Sequence, residues 1–88
     1  MVCREFVIGI QGGLRARPAA MLVQVASRYE SEILFAQGDK QIDAKSIIGI
    51  LAMGVRQGEC IGVCIEGPDE RQAMQALTSV MDGGFGGF

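Results

Sequence analysis

The stretch that decides the fold is "GLRARPAAMLVQVAS", residues 13–27. After Ala16 its apolar residues recur at intervals of three and four, which is typical of a helix with one apolar face. Pro18 would lie in the first turn of that helix, where a missing N–H group costs no hydrogen bond. We therefore predict a helix from Ala16 to about Ser27, whose inward face consists of Ala19, Leu22, Val23 and Ala26.

Strand patterns lie on both sides of this helix. The segment 3–10, "CREFVIGI", alternates between apolar and polar residues and ends at a Gly-rich turn. The segments 31–37 and 40–44 alternate around Gly38-Asp39, which predicts a hairpin. The segment 59–67, "ECIGVCIEG", predicts a fourth strand. In the hairpin, the inward residues are expected to be Ile33, Phe35 and Ile42.

Two further helices complete the predicted order. Ser46 is a good N-cap for a short apolar helix over residues 47–53, and Asp69, paired with Gln72 in a capping-box pattern, precedes a helix from about Glu70 to Met81. Helices packed on one face of a small antiparallel sheet bury every apolar stripe, so we expect an α+β open-faced sandwich. The domain should span residues 1–82. A mobile tail over residues 83–88 is favoured over docking of Phe85 or Phe88.

The composition argues against several classes of function. The chain has 88 residues, a net charge of -2 and an isoelectric point near 4.9, so we expect no sequence-independent binding to nucleic acid. Neither a signal peptide nor a membrane span is evident, which favours a cytoplasmic protein without membrane contact. Three cysteines suggest free thiols, and Cys60 and Cys64 would lie roughly 13 Å apart on one strand, too far to share a zinc ion. Because the chain also has no histidine, we expect no metal site. We expect no cofactor either.

Two cations mark the start of the first helix. Arg15 and Arg17 would meet the positive end of the helix dipole, which favours acidic residues instead. Either they bind an anion or an acidic partner, or they are simply solvated at a tolerant helix end. The short motif leaves both interpretations open.

The second candidate site is the start of the short middle helix. The Ser46 hydroxyl is either a plain N-cap or a phosphorylation site, since a phosphate there would meet the helix dipole favourably. If Ile50 and Met53 face the core, the remaining large side chains of the segment either form an exposed patch or are covered by other elements. Those remaining side chains are Ile47, Ile48 and Leu51.

Together these segments resemble the HPr phosphocarrier family of the bacterial phosphotransferase system. "GLRARPAA" resembles the active-site motif of that family, "AKSIIGI" its regulatory serine segment and "GPDERQAMQAL" its final helix. The resemblance implies a four-stranded antiparallel sheet in the order 1-4-2-3 with three helices on one face. Strands one and four would then be neighbours, which could place Cys3 across from Cys64.

One position departs from the family pattern. Where this chain has Arg15, the resemblance implies a histidine that accepts a phosphoryl group from enzyme I, and Arg17 matches the residue that steadies the phosphate. A guanidinium is always protonated and has no lone pair, so Arg15 cannot act as that nucleophile. We therefore expect no catalytic residue and no histidine phosphocarrier activity. The loss of the histidine and the retention of Ser46 resemble the Crh type of the family.

This resemblance implies a regulatory, non-enzymatic protein. HPr kinase/phosphorylase would phosphorylate Ser46, and the product would act as corepressor of a LacI-type catabolite regulator or modulate a metabolic enzyme. The alternative is a degenerate component that binds enzyme I or sugar permease components and modulates sugar uptake. Likeness to the Crh type also implies a possible homodimer by exchange of the first strand. The expected partner-binding residues are Arg15, Arg17, Ala20, Lys45, Ser46, Ile47, Ile48 and Leu51.

Overall fold

The computed structural model describes residues 1–87, and the side chains of residues 1–86. Its elements follow the predicted order of strand, helix, strand, strand, helix, strand and helix. Their boundaries agree with the sequence prediction to within three residues. They are β1 (Val2–Val7), α1 (Ala16–Ala26), β2 (Glu32–Gln37), β3 (Lys40–Asp43), α2 (Ile47–Met53), β4 (Cys60–Glu66) and α3 (Glu70–Asp82), followed by a short turn at Phe85–Gly87.

The strands form one antiparallel sheet in the order β1-β4-β2-β3, as the family resemblance implied. The register places Phe6 opposite Ile61 and Phe35 opposite Val63. These side chains are buried beneath the helices, whereas Cys60 on the other face is exposed. The predicted α+β open-faced sandwich is confirmed. No helix in residues 1–87 has the length and apolar character needed to cross a membrane.

Two contacts fix the direction of α1 relative to α2. Before α1, the N–H of Leu14 donates to the carbonyl of Val55 at 3.0 Å, just beyond the end of α2. Gly13, at φ +71°, makes this approach possible, because a Cβ there would collide with the Val55 carbonyl and the Arg56 backbone. At the opposite end, the ammonium group of Lys45 donates to the carbonyl of Tyr29 at 2.7 Å. The two helices therefore run antiparallel.

Hydrogen bonds of Asp69 with Glu30 and Ser31 join the α1–β2 loop to the start of α3, and we call this group of contacts the polar latch. The carboxylate of Asp69 accepts hydrogen bonds from the N–H groups of Glu30 and Ser31, at 2.9 and 3.0 Å, and from the Ser31 hydroxyl. Asp69 occupies the N-cap position of α3 but makes no capping bond to its own helix. The predicted capping box with Gln72 is thus wrong, because the carboxylate is already occupied by a loop distant in sequence.

The expectation of three free thiols is wrong for two of the cysteines. Cys3 of β1 and Cys64 of β4 are paired across the sheet and form a disulfide, and Cys60 is free and exposed. The error arose because sequence spacing alone does not show which strands are neighbours. With the strand order known, the two side chains lie on the same face at the same register position.

The expectation of a frayed end is wrong at Phe85. This side chain is 1% exposed and belongs to the main core. The chain reverses after α3 through Gly84 at φ +67° and Phe85 at φ +60°, and Gly86 lies close to the end of the Met21 side chain. Burial of a large aromatic ring outweighs the conformational freedom of the glycines. Phe88 lies outside the described residues, and the boundary of the domain at residue 82 stays a prediction.

The latch predicts an acid-dependent stability difference. Hydrogen bonds from Ser31 and Glu30 hold the pKa of Asp69 below its usual value. Such a group stabilises the fold above its unfolded-state pKa of about 3.9, and this stabilisation is lost as the pH falls through the lower folded-state pKa. We expect Asp69→Asn to melt at a lower temperature than the parent at pH 7 and to converge with it in acid.

Thermal melts monitored by circular dichroism between pH 7 and pH 2 would measure this difference. Asp39→Asn is the matched control, because Asp39 is exposed in the β2–β3 turn. A difference between the parent and Asp69→Asn that is the same at every pH would contradict the role of the ionised latch.

Candidate functional site

The start of α1 presents two cations without an acidic counterpart. Arg15 is the N-cap residue, has extended backbone geometry and makes no side-chain capping bond, and the first turn contains no acidic residue. Both Arg15 and Arg17 are exposed, and neither forms an ion pair within residues 1–86. The Arg15 side chain lies against Gly12, whose added Cβ would come within 3.2 Å of the Arg15 Nε atom. The charges therefore face solvent at the positive end of the helix dipole.

An open cleft of about 320 Å³ lies beside these arginines. Its walls combine apolar side chains with the two guanidinium stems, and it is lined by Ile10, Gln11, Gly13, Arg15, Ala16, Arg17 and Pro18. Pro18 has no N–H, so only the N–H groups of Ala16 and Arg17 are left free in the first turn. This corner can attract a carboxylate or a phosphate, but it holds no side chain that could serve as a nucleophile at neutral pH.

Ser46 lies at the start of α2. It is the N-cap residue, is half-buried, and its hydroxyl accepts a hydrogen bond from the N–H of Gly49 at 3.1 Å. Gly49 keeps space around the hydroxyl, because an added Cβ would lie 3.4 Å from the Ser46 Oγ and 3.2 Å from the Cβ of Ile42. The positive end of the helix dipole points at the same oxygen. A negative charge added there would be favoured by the backbone around it.

Lys45 differs in setting from the other predicted contact residues. It is half-buried, and its ammonium group is held by the carbonyl of Tyr29. Its backbone N–H donates to the carboxylate of Asp43 at 2.9 Å. Lys45 thus anchors the segment before α2 onto the end of α1, a contact that sequence reasoning missed because nothing in the local pattern identifies Tyr29 as its neighbour.

The apolar side chains of α2 divide between core and solvent. Ile50 and Met53 are 0% and 4% exposed, as expected for the inward face. Ile47, Ile48 and Leu51 are 36%, 77% and 43% exposed. Of the two alternatives that the sequence left open, the structure shows the exposed patch, and we call these three residues the α2 patch. On α1, Ala20 is half-buried.

The antiparallel arrangement of α1 and α2 places the arginines and Ser46 at opposite ends of α2. Arg15 and Arg17 lie at the start of α1, near the end of α2, whereas Ser46 lies at the start of α2, near the end of α1. The seven residues of α2 span about 10 Å between these two ends. The α2 patch is carried by the helix that connects them.

Comparison with known proteins identifies the family to which this chain belongs. The model of the PTS HPr component phosphorylation site matches residues 2–82. The chain belongs to the HPr family. It is 39% identical over 82 residues to the HPr-like protein Crh of Halalkalibacterium halodurans, covering 93% of this chain and 98% of that protein. Relatives of this HPr-family chain therefore include a Crh protein.

Solved structures agree in fold. The crystal structure described as HPr-C-His from Thermoanaerobacter tengcongensis has a TM-score of 0.95 at 41% identity, covering 98% of this chain and 97% of that one. A crystal structure of Crh from Bacillus subtilis, described as a dimer with a swapped domain, has a TM-score of 0.75 at 32% identity, covering 96% and 97% of the two chains. The HPr fold thus extends over nearly the whole chain.

The unfavourable charge at the start of α1 predicts a gain of stability on its removal. Arg15→Ser supplies an N-cap oxygen and removes a cation from the positive end of the dipole, so the free energy of unfolding should rise by about 1 kcal/mol. Urea denaturation monitored by circular dichroism measures it. Arg28→Ser is the control, because Arg28 follows the end of α1, where a cation is favourable. A loss of stability in Arg15→Ser would instead mean that Arg15 makes a favourable contact within the fold.

Proposed function

We propose that this HPr-family chain is a non-enzymatic cytoplasmic regulator of the Crh type. HPr kinase/phosphorylase phosphorylates Ser46, and the phosphorylated form acts as corepressor of a LacI-type catabolite regulator or modulates a metabolic enzyme. The observation that carries this proposal is the position of the Ser46 hydroxyl, at the positive end of α2 and next to the exposed α2 patch. The likeness to a named Crh protein supports it.

The setting of Ser46 suits a switch that changes charge without changing shape. A phosphate adds a charge of about -1.5 to -2, and the helix dipole and the free N–H groups of the first turn stabilise it there. Because Gly49 carries no side chain, the space next to the hydroxyl is not filled by its own helix. The modified protein should therefore keep its fold and differ mainly in what it binds.

Arg15 stands, on the family resemblance, where a phosphocarrier has its histidine. A guanidinium offers no lone pair to a phosphoryl group, so this chain does not relay phosphate from enzyme I. Its exposed arginines instead pair with carboxylates of a partner, while phospho-Ser46 pairs with arginine or lysine of that partner. Ala20, Lys45 and the α2 patch supply or position the remaining contact area.

A second function is favoured by the unpaired arginines. Arg15 and Arg17 have no internal acidic partner within residues 1–86, so they are available to an acidic surface without any modification of Ser46. Enzyme I or sugar permease components could be bound in this way, and the chain would then compete with a true carrier. Binding of enzyme I by unphosphorylated protein, lost in Arg15→Ala and Arg17→Ala, would support this alternative.

We also propose a homodimer formed by exchange of β1 between two copies. β1 is an edge strand that contacts a single neighbouring strand, so a second copy could offer the same β4 register. The description of Bacillus subtilis Crh as a dimer with a swapped domain supports this arrangement.

The regulatory proposal predicts one phosphorylated hydroxyl. Incubation with HPr kinase/phosphorylase and ATP should add a single phosphate, and peptide mass spectrometry should locate it on Ser46. Ser46→Ala should remain unmodified, whereas the control Ser79→Ala, which changes an exposed serine of α3, should be modified like the parent. Absence of phosphate from Ser46 in the parent protein would overturn the proposed mechanism.

The α2 patch predicts a selective loss of binding. Burial of an isoleucine side chain contributes about 1.5–3 kcal/mol, so Ile48→Asp should weaken binding of the phosphorylated protein to its regulator by at least about tenfold. Val7→Asp is a matched control, since Val7 is 63% exposed but lies on the sheet. Calorimetric titration of both variants measures the difference. Equal losses in the two variants would contradict a specific role for the patch.

A further inference from the structure

The Cys3–Cys64 disulfide ties the edge strand β1 to β4. The two residues lie directly opposite each other in the register, with their Cα atoms 4.1 Å apart, and they are separated by 61 positions in sequence. Both side chains lie on the face of the sheet that the helices leave open, where Cys3 is exposed and Cys64 is partly exposed. The bond is therefore within reach of a reductant in solution.

Apart from this bond, β1 is held by its backbone pairing with β4 from Val2 to Val7 and by a small number of side-chain contacts. Phe6 is its only buried side chain, at 4% exposed, whereas β4 buries Ile61, Val63 and Ile65. Arg4 reaches Thr78 and Asp82 of α3 at 3.3 and 3.5 Å, but these contacts are exposed and contribute little. The other ties are the ladder of backbone hydrogen bonds to β4, the packing of the half-buried Val2 against the core, and the ion pair of the Met1 ammonium group with Glu70 at 3.3 Å just before the strand. Loss of the disulfide would thus remove the strongest single tie on the strand.

Glycines follow β1 where a hinge would be needed. Gly9 is the first glycine after β1 and is exposed, whereas Gly13, at the start of α1, is held against the Val55 carbonyl and stays in place. Gly9 has open space on its side-chain side. The backbone of Gly9 can therefore change direction with little steric cost, and detachment of β1 at this point would withdraw the buried Ile8 from its own core.

We propose that the thiol–disulfide state of Cys3 and Cys64 controls whether β1 stays paired with its own β4. In the oxidised protein the bond locks β1 in place. In the reduced protein β1 can detach and pair with β4 of a second copy in the same register. This inference rests on the proposed strand-exchange dimer and adds the device that regulates it.

The redox step is an ordinary dithiol exchange. A thiolate of a reducing dithiol attacks the exposed Cys3 sulfur, forms a mixed disulfide and releases the Cys64 thiolate, which takes up a proton. The second thiol of the reductant then attacks the mixed disulfide and releases Cys3. Two electrons and two protons pass to the protein, and the dithiol becomes a disulfide. A disulfide oxidant drives the reverse reaction.

Cys60 does not take part in this exchange within one chain. It lies four residues from Cys64 on the same strand and face, roughly 13 Å away along the strand. It is exposed, however, and could form unrelated links between chains. The test therefore uses Cys60→Ser as the parent protein.

The experiment measures chain exchange in the two redox states. Equal amounts of unlabelled and ¹⁵N-labelled Cys60→Ser protein are mixed at high concentration, either oxidised or with a dithiol reductant, and mixed-isotope dimers are counted by native mass spectrometry. Reduction should increase the mixed dimers by at least about tenfold, because removal of a native disulfide shifts an opening equilibrium by at least that factor. After reoxidation, peptides linking unlabelled Cys3 to labelled Cys64 should appear.

The control variant Cys3→Ser/Cys60→Ser should exchange equally with and without reductant. Equal exchange of the Cys60→Ser parent in both redox states would overturn the lock, as would reoxidation that yields only Cys3–Cys64 links within single chains. Absence of dimers from the control variant as well would overturn strand exchange itself. Phosphorylation of Ser46 in both redox states, measured on the same samples, tests the proposed regulatory function separately.

Discussion

The hydrogen bonds from Leu14 to Val55 and from Lys45 to Tyr29 hold α1 antiparallel to α2, and the layout of the candidate site depends on them. Each bond joins the chain flanking one helix to the chain flanking the other. The first requires Gly13, since any side chain there would collide with the Val55 carbonyl. α2 has only seven residues. A shift at either of its ends would therefore change the distance between Ser46 and the arginines by a large fraction of the length of the helix.

Local patterns predicted the elements well because each depends on neighbouring residues. Alternation and helical periodicity gave the strands and helices with small boundary errors, and Ser46 was found as an N-cap because its partner, Gly49, is three residues away. The Asp69 carboxylate is a different case. Its position before α3 predicted capping, yet it accepts its hydrogen bonds from Ser31, 38 residues away, and from Glu30. Such pairing follows from tertiary packing, which sequence spacing does not encode.

The disulfide and Phe85 were missed for the same kind of reason. Whether Cys3 faces Cys64 depends on strand order, which came only from the family resemblance. The Gly-rich tail predicted freedom, but the same glycines permit the reversal that buries Phe85. For α2, helical periodicity predicted that Ile50 and Met53 face the core. Whether another element covered the outer residues could not be read from the helix itself, and the structure shows that none does among residues 1–86.

The two ends of the candidate site lie at opposite ends of α2. α2 is about 10 Å long, slightly more than a Debye length of about 8 Å at physiological ionic strength, so screening would weaken the attraction of the arginines for a charge placed on Ser46. The ammonium group of Lys45 is held at the end of α1 by the Tyr29 carbonyl. A phosphate at Ser46 would therefore depend on its own helix and on a partner for compensation. The proposed function would then require a partner with a basic group near one end of α2 and an acidic group near the other, and partners with only one of them would bind less well.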